Sequence, residues 1–162
     1  MSLHLRPAMR ADLPVILKLI EDLADYEKLR HACVATREEL DKHLFGEHPW
    51  AEVVLAEWEG EVAGFALFFH TFSTFLAKPG IYLEDLFVVP ERRGRGIGKA
   101  LLVHLARLAM IRGCGRVEWS VLDWNTPSIE FYESLRARQL KEWHVYRLTG
   151  AELEALAGGK PD

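Results

Sequence analysis

Apolar and polar positions along this chain recur with two different periods, and the change of period divides it into elements. Leu13, Ile16, Leu17, Ile20, Leu23 and Ala24 fall three and four apart, the stripe of an amphipathic helix running to about Tyr26. Asp12 is placed to cap that helix, and Pro14 lies in its first turn, where a missing N–H costs little. Thr36 and Glu39 form a capping-box pattern that opens a shorter helix carrying Leu40 and Leu44, closed by Gly46, His48 and Pro49. From Trp50 the texture turns β-branched and aromatic. Residues 53–58 and 62–71 flank Glu59-Gly60-Glu61 as an antiparallel hairpin, and residues 81–89 form a further strand stopped by Pro90. Residues 97–112 make a helix with Leu101, Leu105, Leu108 and Ala109 as its apolar face, ended by Gly113 and Gly115.

Val117, Trp119 and Val121 alternate with Glu118 and Ser120 as another strand, and Pro127 opens a helix that reaches about Leu135. A short strand at residues 3–6 begins the chain. A last strand over residues 141–148 precedes a small helix capped by Thr149 and Glu152. The order predicts an α/β fold with a mixed, mostly antiparallel sheet flanked by helices, rather than a regular βαβ alternation. No repeat, linker or low-complexity stretch interrupts it, so residues 1–162 are expected to form one domain.

Composition narrows the class. An apolar content of 49% in 162 residues supplies a core without disulfide staples. Twenty basic against 24 acidic residues leave a net charge of −4, which disfavours nucleic acid and anionic membrane as partners. The longest apolar run, residues 62–69, is too short to span a bilayer, and the N-terminus lacks a secretory hydrophobic region, so a soluble cytoplasmic protein is expected. Cys33 and Cys114 fit neither a disulfide framework nor a thiolate zinc site. The histidines show no metal-ligand spacing, so no metal is expected.

The most informative stretch is Arg93-Gly94-Arg95-Gly96-Ile97-Gly98, between a strand and a helix. Glycines let backbone N–H groups approach a ligand, and a helix N-terminus adds about half a positive charge, so a pyrophosphate-like anion is the expected guest. A Rossmann fingerprint would need glycine at Lys99, and a P-loop would need glycine at Arg93 and a hydroxyl at Ala100. NAD and ATP are thereby disfavoured.

That loop, the run Tyr82-Leu83-Glu84-Asp85-Leu86-Phe87-Val88, the segment Asp123-Trp124-Asn125-Thr126-Pro127-Ser128 and the pair Phe131-Tyr132 together resemble the GNAT N-acetyltransferases. Within them the chain is most similar to the diamine acetyltransferase group, which includes the spermidine/spermine and thialysine enzymes. Asp25-Tyr26-Glu27 and residues 45–49 match in order and spacing too. The resemblance implies a sheet with two splayed strands and acetyl-CoA laid in the gap. Leu86, Phe87 and Val88 would then lie at the strand edge, Arg93, Gly94, Arg95, Gly96, Ile97, Gly98 and Lys99 around the pyrophosphate, and Asn125, Thr126, Pro127 and Ser128 near the pantetheine. It further implies that Tyr132 protonates the departing thiolate and that Glu84 is the acid at the acceptor amine. Asp25, Tyr26, Glu27 and Asp85 would contact that amine, a small molecule, and the usual state would be a homodimer in which residues 143–148 could pair between subunits.

Elementary chemistry agrees with those roles. An alkylammonium is almost wholly protonated at pH 7, and freeing its lone pair costs about 4 to 5 kcal/mol, so a carboxylate must accept the proton. Strand alternation puts the neighbours Glu84 and Asp85 on opposite faces, and both line one cleft only if the strand bulges there. A bulge would also free a backbone N–H, such as that of Leu86, to polarise a carbonyl. Two departures from the diamine group matter. Thr74 and Leu76 stand where the spermidine/spermine enzymes place aspartate and tryptophan, which argues against long polyamines. Arg136 stands where glycine is usual, at a cost of about 1 kcal/mol if that position has positive φ. A protein lysine or N-terminal acetyltransferase, and a CoA-binding module without turnover, are the alternatives.

Overall fold

The computed structural model describes residues 2–159. Its elements are β1 (Leu3–Pro7), α1 (Leu13–Tyr26), α2 (Arg37–Phe45), β2 (Glu52–Trp58), β3 (Glu61–Ser73), β4 (Lys78–Val88), α3 (Ile97–Ile111), β5 (Val117–Trp119), α4 (Thr126–Ser134) and α5 (Gly150–Ala157). The chain divides into two units, Met1–Leu122 and Asp123–Asp162.

The first unit is built on a five-stranded sheet in the order β1-β2-β3-β4-β5. β1 to β4 run antiparallel to their neighbours, and β5 joins β4 in parallel. The periodicity of α1 places Ile16, Leu19 and Leu23 on one face, where they pack with Val53 and Leu55 of β2, Phe65 of β3 and Phe87 of β4. Each large apolar side chain buried there is worth about 1.5 to 3 kcal/mol. The alternate residues, among them Val54, Ala56, Ala66 and Phe68, are buried on the opposite face, and α3 packs on β2, β3 and β4 through Leu101 and Leu105. The mixed sheet between helices is the architecture the alternation predicted.

Several local expectations change. Asp12 does not cap α1 with its side chain. Its carboxylate accepts from Arg6 Nη1 and Nη2 at 2.8 and 2.9 Å and from the Met9 backbone N–H at 2.7 Å, and a 3₁₀ turn at Arg10–Asp12 leads into the helix. A doubly hydrogen-bonded guanidinium outcompetes a single cap bond, and it holds the Asp12 carboxyl below its ordinary range. Thr36 does cap α2, accepting from the Glu39 N–H at 3.2 Å. β5 stops at Trp119, short of Val121.

In the second unit α4 begins with Pro127 in its first turn, as the sequence requires. The strand expected over residues 141–148 is not formed. The segment has no strand assignment and its Trp143, Val145 and Tyr146 are exposed, because an alternating pattern makes a strand only where another strand is available to pair.

Candidate functional site

The site begins where β4 loses a neighbour. β5 pairs with β4 only at Ile81–Val117, Tyr82–Glu118 and Leu83–Trp119, after which β4 continues to Val88 with pairing to β3 alone. β5 ends at Trp119, so from Glu84 onward β4 presents an open edge, where a pair of splayed strands was expected.

At the same residue β4 bulges. The register with β3 passes from Leu67–Asp85 directly to Phe68–Leu83, leaving Glu84 with no partner. The bulge inverts the alternation: Asp85 shares the face of Phe87, toward α1, while Leu83 shares the opposite face with Phe68. Glu84, next to Leu83 in the chain, therefore also turns toward α1. Both acids reach one face, the condition that their adjacency imposed.

The third acid comes from α1. The helix ends at Tyr26 with Glu27 as its C-cap, whose N–H bonds the Leu23 carbonyl at 2.9 Å, and Lys28 turns the chain with φ of 61°. Burial first, and then the charge of Glu84, raise the Glu27 carboxyl above its ordinary value. Asp85 is pushed up to about 7 by burial first, then by Glu84 and by Glu27. The charge of Glu84 thus reaches both Glu27 and Asp85, and three carboxyls gathered this closely form a site suited to a cation. Asp25 is engaged elsewhere: exposed, it pairs with Arg30 at 3.1 Å, and Arg30 also holds Glu21 at 2.6 Å.

Beyond Val88 a 3₁₀ turn at Pro90–Arg92 leads into the glycine loop. Gly94 and Gly96 have φ of 76° and 79°, left-handed values that would strain any other residue. A Cβ built on either meets nothing within 4 Å, so space is open above the loop. Gly96 caps the 15-residue α3, whose first N–H groups have no partner within the helix. The cradle therefore fits a pyrophosphate, and Gly94 to Lys99 are the residues that would hold it. Its two arginines are docked on aromatic rings. Arg93 lies over Tyr26 at 5.0 Å and Phe87 at 5.3 Å, and Arg95 over Trp58 at 5.3 Å. The resemblance places both around the pyrophosphate, and nothing local in the sequence signals their packing on these rings. Ile97 and Phe87 are buried, so they offer main chain rather than side chain to a ligand.

A groove of about 430 Å³ lies beside this region, lined by Leu3 and Leu5 of β1 and by Lys99, Val103, His104 and Arg107 of α3. It reaches the loop at Gly96 and Lys99 but contains none of the three acids.

The second unit carries the remaining predicted residues. Asn125 is buried and caps α4, its side chain accepting from the Ser128 N–H at 3.4 Å. Tyr132 lies on α4 with its ring 5.6 Å from that of Phe131. Arg136 has φ of 66°, the left-handed value that its usual glycine suggested. Among the described residues no group of three or more His, Cys, Asp or Glu could hold a metal ion, and no helix is long and apolar enough to cross a membrane.

An open edge of β4 beyond the short β5, a glycine cradle after it and three carboxyls gathered at its bulge make up the candidate site of a transferase. Residues 17–136 match the acetyltransferase (GNAT) family, and the chain belongs to that family. It is 37% identical to a thialysine N-epsilon-acetyltransferase of Sus scrofa, over 97% of this chain and 98% of that protein. It is 35% identical to an L-ornithine N5-acetyltransferase of Arabidopsis thaliana, over 94% and 87% respectively. An integron cassette protein from the mobile metagenome of V. cholerae superposes with a TM-score of 0.83 at 28% identity, over 98% of this chain and 99% of that one. The protein is thus an N-acetyltransferase acting on amines, in a family that uses acetyl-CoA as cosubstrate.

Proposed function

We propose that the protein transfers the acetyl group of acetyl-CoA directly to a primary amine of a small diamine, thialysine or lysine-like substrate. The observation that carries this reading is the bulge at Glu84, which turns Glu84 and Asp85 to the face of Glu27 where β4 parts from β5. An acidic cleft attracts an ammonium, and a substrate with a second cationic group gains from more than one carboxylate. The relatives named above act on thialysine and ornithine, compact molecules with an amine at the end of a chain. Thr74 and Leu76 in the β3–β4 turn fit that shorter class.

Acetyl-CoA supplies an activated acetyl thioester. In the proposed reaction Glu84 takes the proton of the bound ammonium, directly or through water, and the amine lone pair forms the new C–N bond. Backbone N–H groups freed near the bulge, with that of Leu86 foremost, stabilise charge on the acetyl oxygen. Tyr132 gives its hydroxyl proton to the thiolate as the C–S bond breaks, and the second proton shed by the nitrogen as the amide forms returns to the Tyr132 phenolate through water. Asp85, Glu27 and Tyr26 hold the amine, and Asn125 to Ser128 meet the pantetheine. The proposal includes a cytoplasmic homodimer, in which the exposed residues 143–148 gain the strand partner they lack.

The test is acetyl-CoA turnover against ornithine, thialysine, lysine, putrescine, spermidine and basic peptides. Short diamines or diamino acids are expected to lead. Tyr132→Phe should lower kcat about a hundredfold while sparing acetyl-CoA affinity. A preference for peptides, or an unchanged kcat in Tyr132→Phe, overturns the corresponding part of the reading.

A further inference from the structure

Arg93 stands at the first position of the glycine loop, yet its side chain reaches back toward the acidic cleft. Its Nε–H donates to the Val88 carbonyl at 2.9 Å, at the end of the open half of β4. Its guanidinium carbon sits 5.0 Å from the Tyr26 ring centroid and 5.3 Å from that of Phe87. Each ring neighbours an acid: Tyr26 precedes Glu27 at the end of α1, and Phe87 lies two residues beyond Asp85 on the same face of β4. One planar cation thus joins the start of the loop, the end of β4 and the last turn of α1.

The chemistry of the contact makes it a coupler rather than filler. A guanidinium over an aromatic face is held by the ring quadrupole, and its planar fork fixes its orientation while Nε is hydrogen-bonded. The α1 terminus closes on backbone bonds from Glu27 to Leu23 and from Leu29 to Ala24, at 2.9 and 2.8 Å, with Lys28 left-handed between them, and Tyr26 is the residue of this turn that Arg93 holds, so its placement bears directly on that of the neighbouring Glu27. Arg95, one glycine further on, rests over Trp58 at the end of β2 and makes no such link to α1.

We propose that Arg93 is a positioning residue: through Tyr26 it ties the glycine loop to the C-terminal turn of α1, so that CoA seated on the loop sets Glu27 in place for the amine. This rests on the reading above, with the cosubstrate on the loop and the amine at the three acids. It predicts ordered behaviour, in which the amine site is firm only after CoA has bound, and it assigns to the loop a specificity role beyond phosphate binding.

The test compares amide hydrogen exchange of the wild type, Arg93→Gln, Arg93→Lys and, as a control on an arginine–aromatic contact outside the loop, Arg112→Gln, whose guanidinium lies over Phe68 at 5.9 Å, each with and without saturating CoA. In the wild type CoA should slow exchange of residues 24–29 about threefold or more. Arg93→Gln should still bind CoA and protect residues 94–99 but lose the response at 24–29. Arg93→Lys should restore part of it, and Arg112→Gln should keep it whole. With the preferred amine, Arg93→Gln should raise the amine KM about tenfold, with kcat changed far less. Loss of the α1 response in Arg112→Gln as well, or its retention in Arg93→Gln, overturns the coupling. If CoA binds the wild type without protecting 24–29, the coupling alone falls; if CoA does not bind the wild type, the functional reading falls with it.

Discussion

The two halves of β4 have opposite characters. From Lys78 to Leu83 the strand has β3 on one side and reaches β5 on the other, and Gly80, Ile81 and Leu83 are buried. From Glu84 to Val88 it keeps β3 but has lost β5, it bulges, and it carries two carboxyls in succession. A strand paired on both sides has spent its backbone hydrogen bonds on the sheet. A strand paired on one side retains N–H and C=O groups for a ligand, and a bulge lets it present two polar side chains to one cleft. The first half anchors what the second exposes.

The sharpest way to break this contrast is to delete packing from the anchored half. Ile81 is fully buried, and Ile81→Ala should cost about 4 kcal/mol by denaturant unfolding while leaving kcat per folded molecule close to wild type. A large fall in kcat with little loss of stability would show that the first half is part of the chemistry.

The next largest effect lies in the open half and has the opposite sign. The Asp85 carboxyl is pushed up to about 7, whereas in the unfolded chain it loses its proton near pH 4. Between those values the folded state holds the proton and the unfolded state does not, so the penalty grows as pH rises through this window and is complete above 7. Asp85→Asn should therefore stabilise the protein by on the order of 3 kcal/mol at pH 8 and by almost nothing near pH 4. The same reasoning makes amine binding, which favours the charged carboxylate, tighten with rising pH until about 7, and Asp85→Asn should remove that pH dependence. A mutant no more stable at pH 8 than at pH 4, relative to wild type, would sink this account of the acidic cleft.

The anchored half and the helices were legible because their signals are periodic and local. Leu13, Ile16 and Leu23 announce their face by spacing and are buried, while Leu19, outside the expected stripe, is buried with them and Leu17 and Ile20 only in part. The bulge was legible only conditionally: two adjacent acids in an apolar strand must either face apart or break the alternation, and the chain breaks it. What was not legible depends on competition between distant partners. Nothing in the neighbourhood of Asp12 shows that Arg6 will take its carboxylate from the cap. Arg93 and Arg95 look the same in sequence, yet one docks against α1 and the other against β2. The pattern at residues 141–148 encodes a strand but not the strand it would pair with.

Arg136 sharpens the comparison from outside the sheet, because it asks whether every departure from regular geometry serves chemistry. It occupies the position after the C-cap of α4 with φ of 66°, where its N–H bonds the Glu133 carbonyl at 2.9 Å and the Ala137 N–H bonds the Tyr132 carbonyl at 3.2 Å. This is the paired hydrogen-bond cap that glycine normally completes, and a Cβ in the left-handed region costs about 1 kcal/mol. Glycine would relieve that cost but would also enlarge the freedom of the unfolded chain, so Arg136→Gly should stabilise by about 0.5 kcal/mol or less rather than the full amount. Both cap bonds survive the change, since they use only backbone, and the orientation of Tyr132 on α4 should be retained. KM and kcat are therefore expected to stay within about twofold of wild type, in contrast to any change at the Glu84 bulge. A stabilised but slowed Arg136→Gly enzyme would show that the strain at the end of α4, like the bulge in β4, is held in place for the reaction.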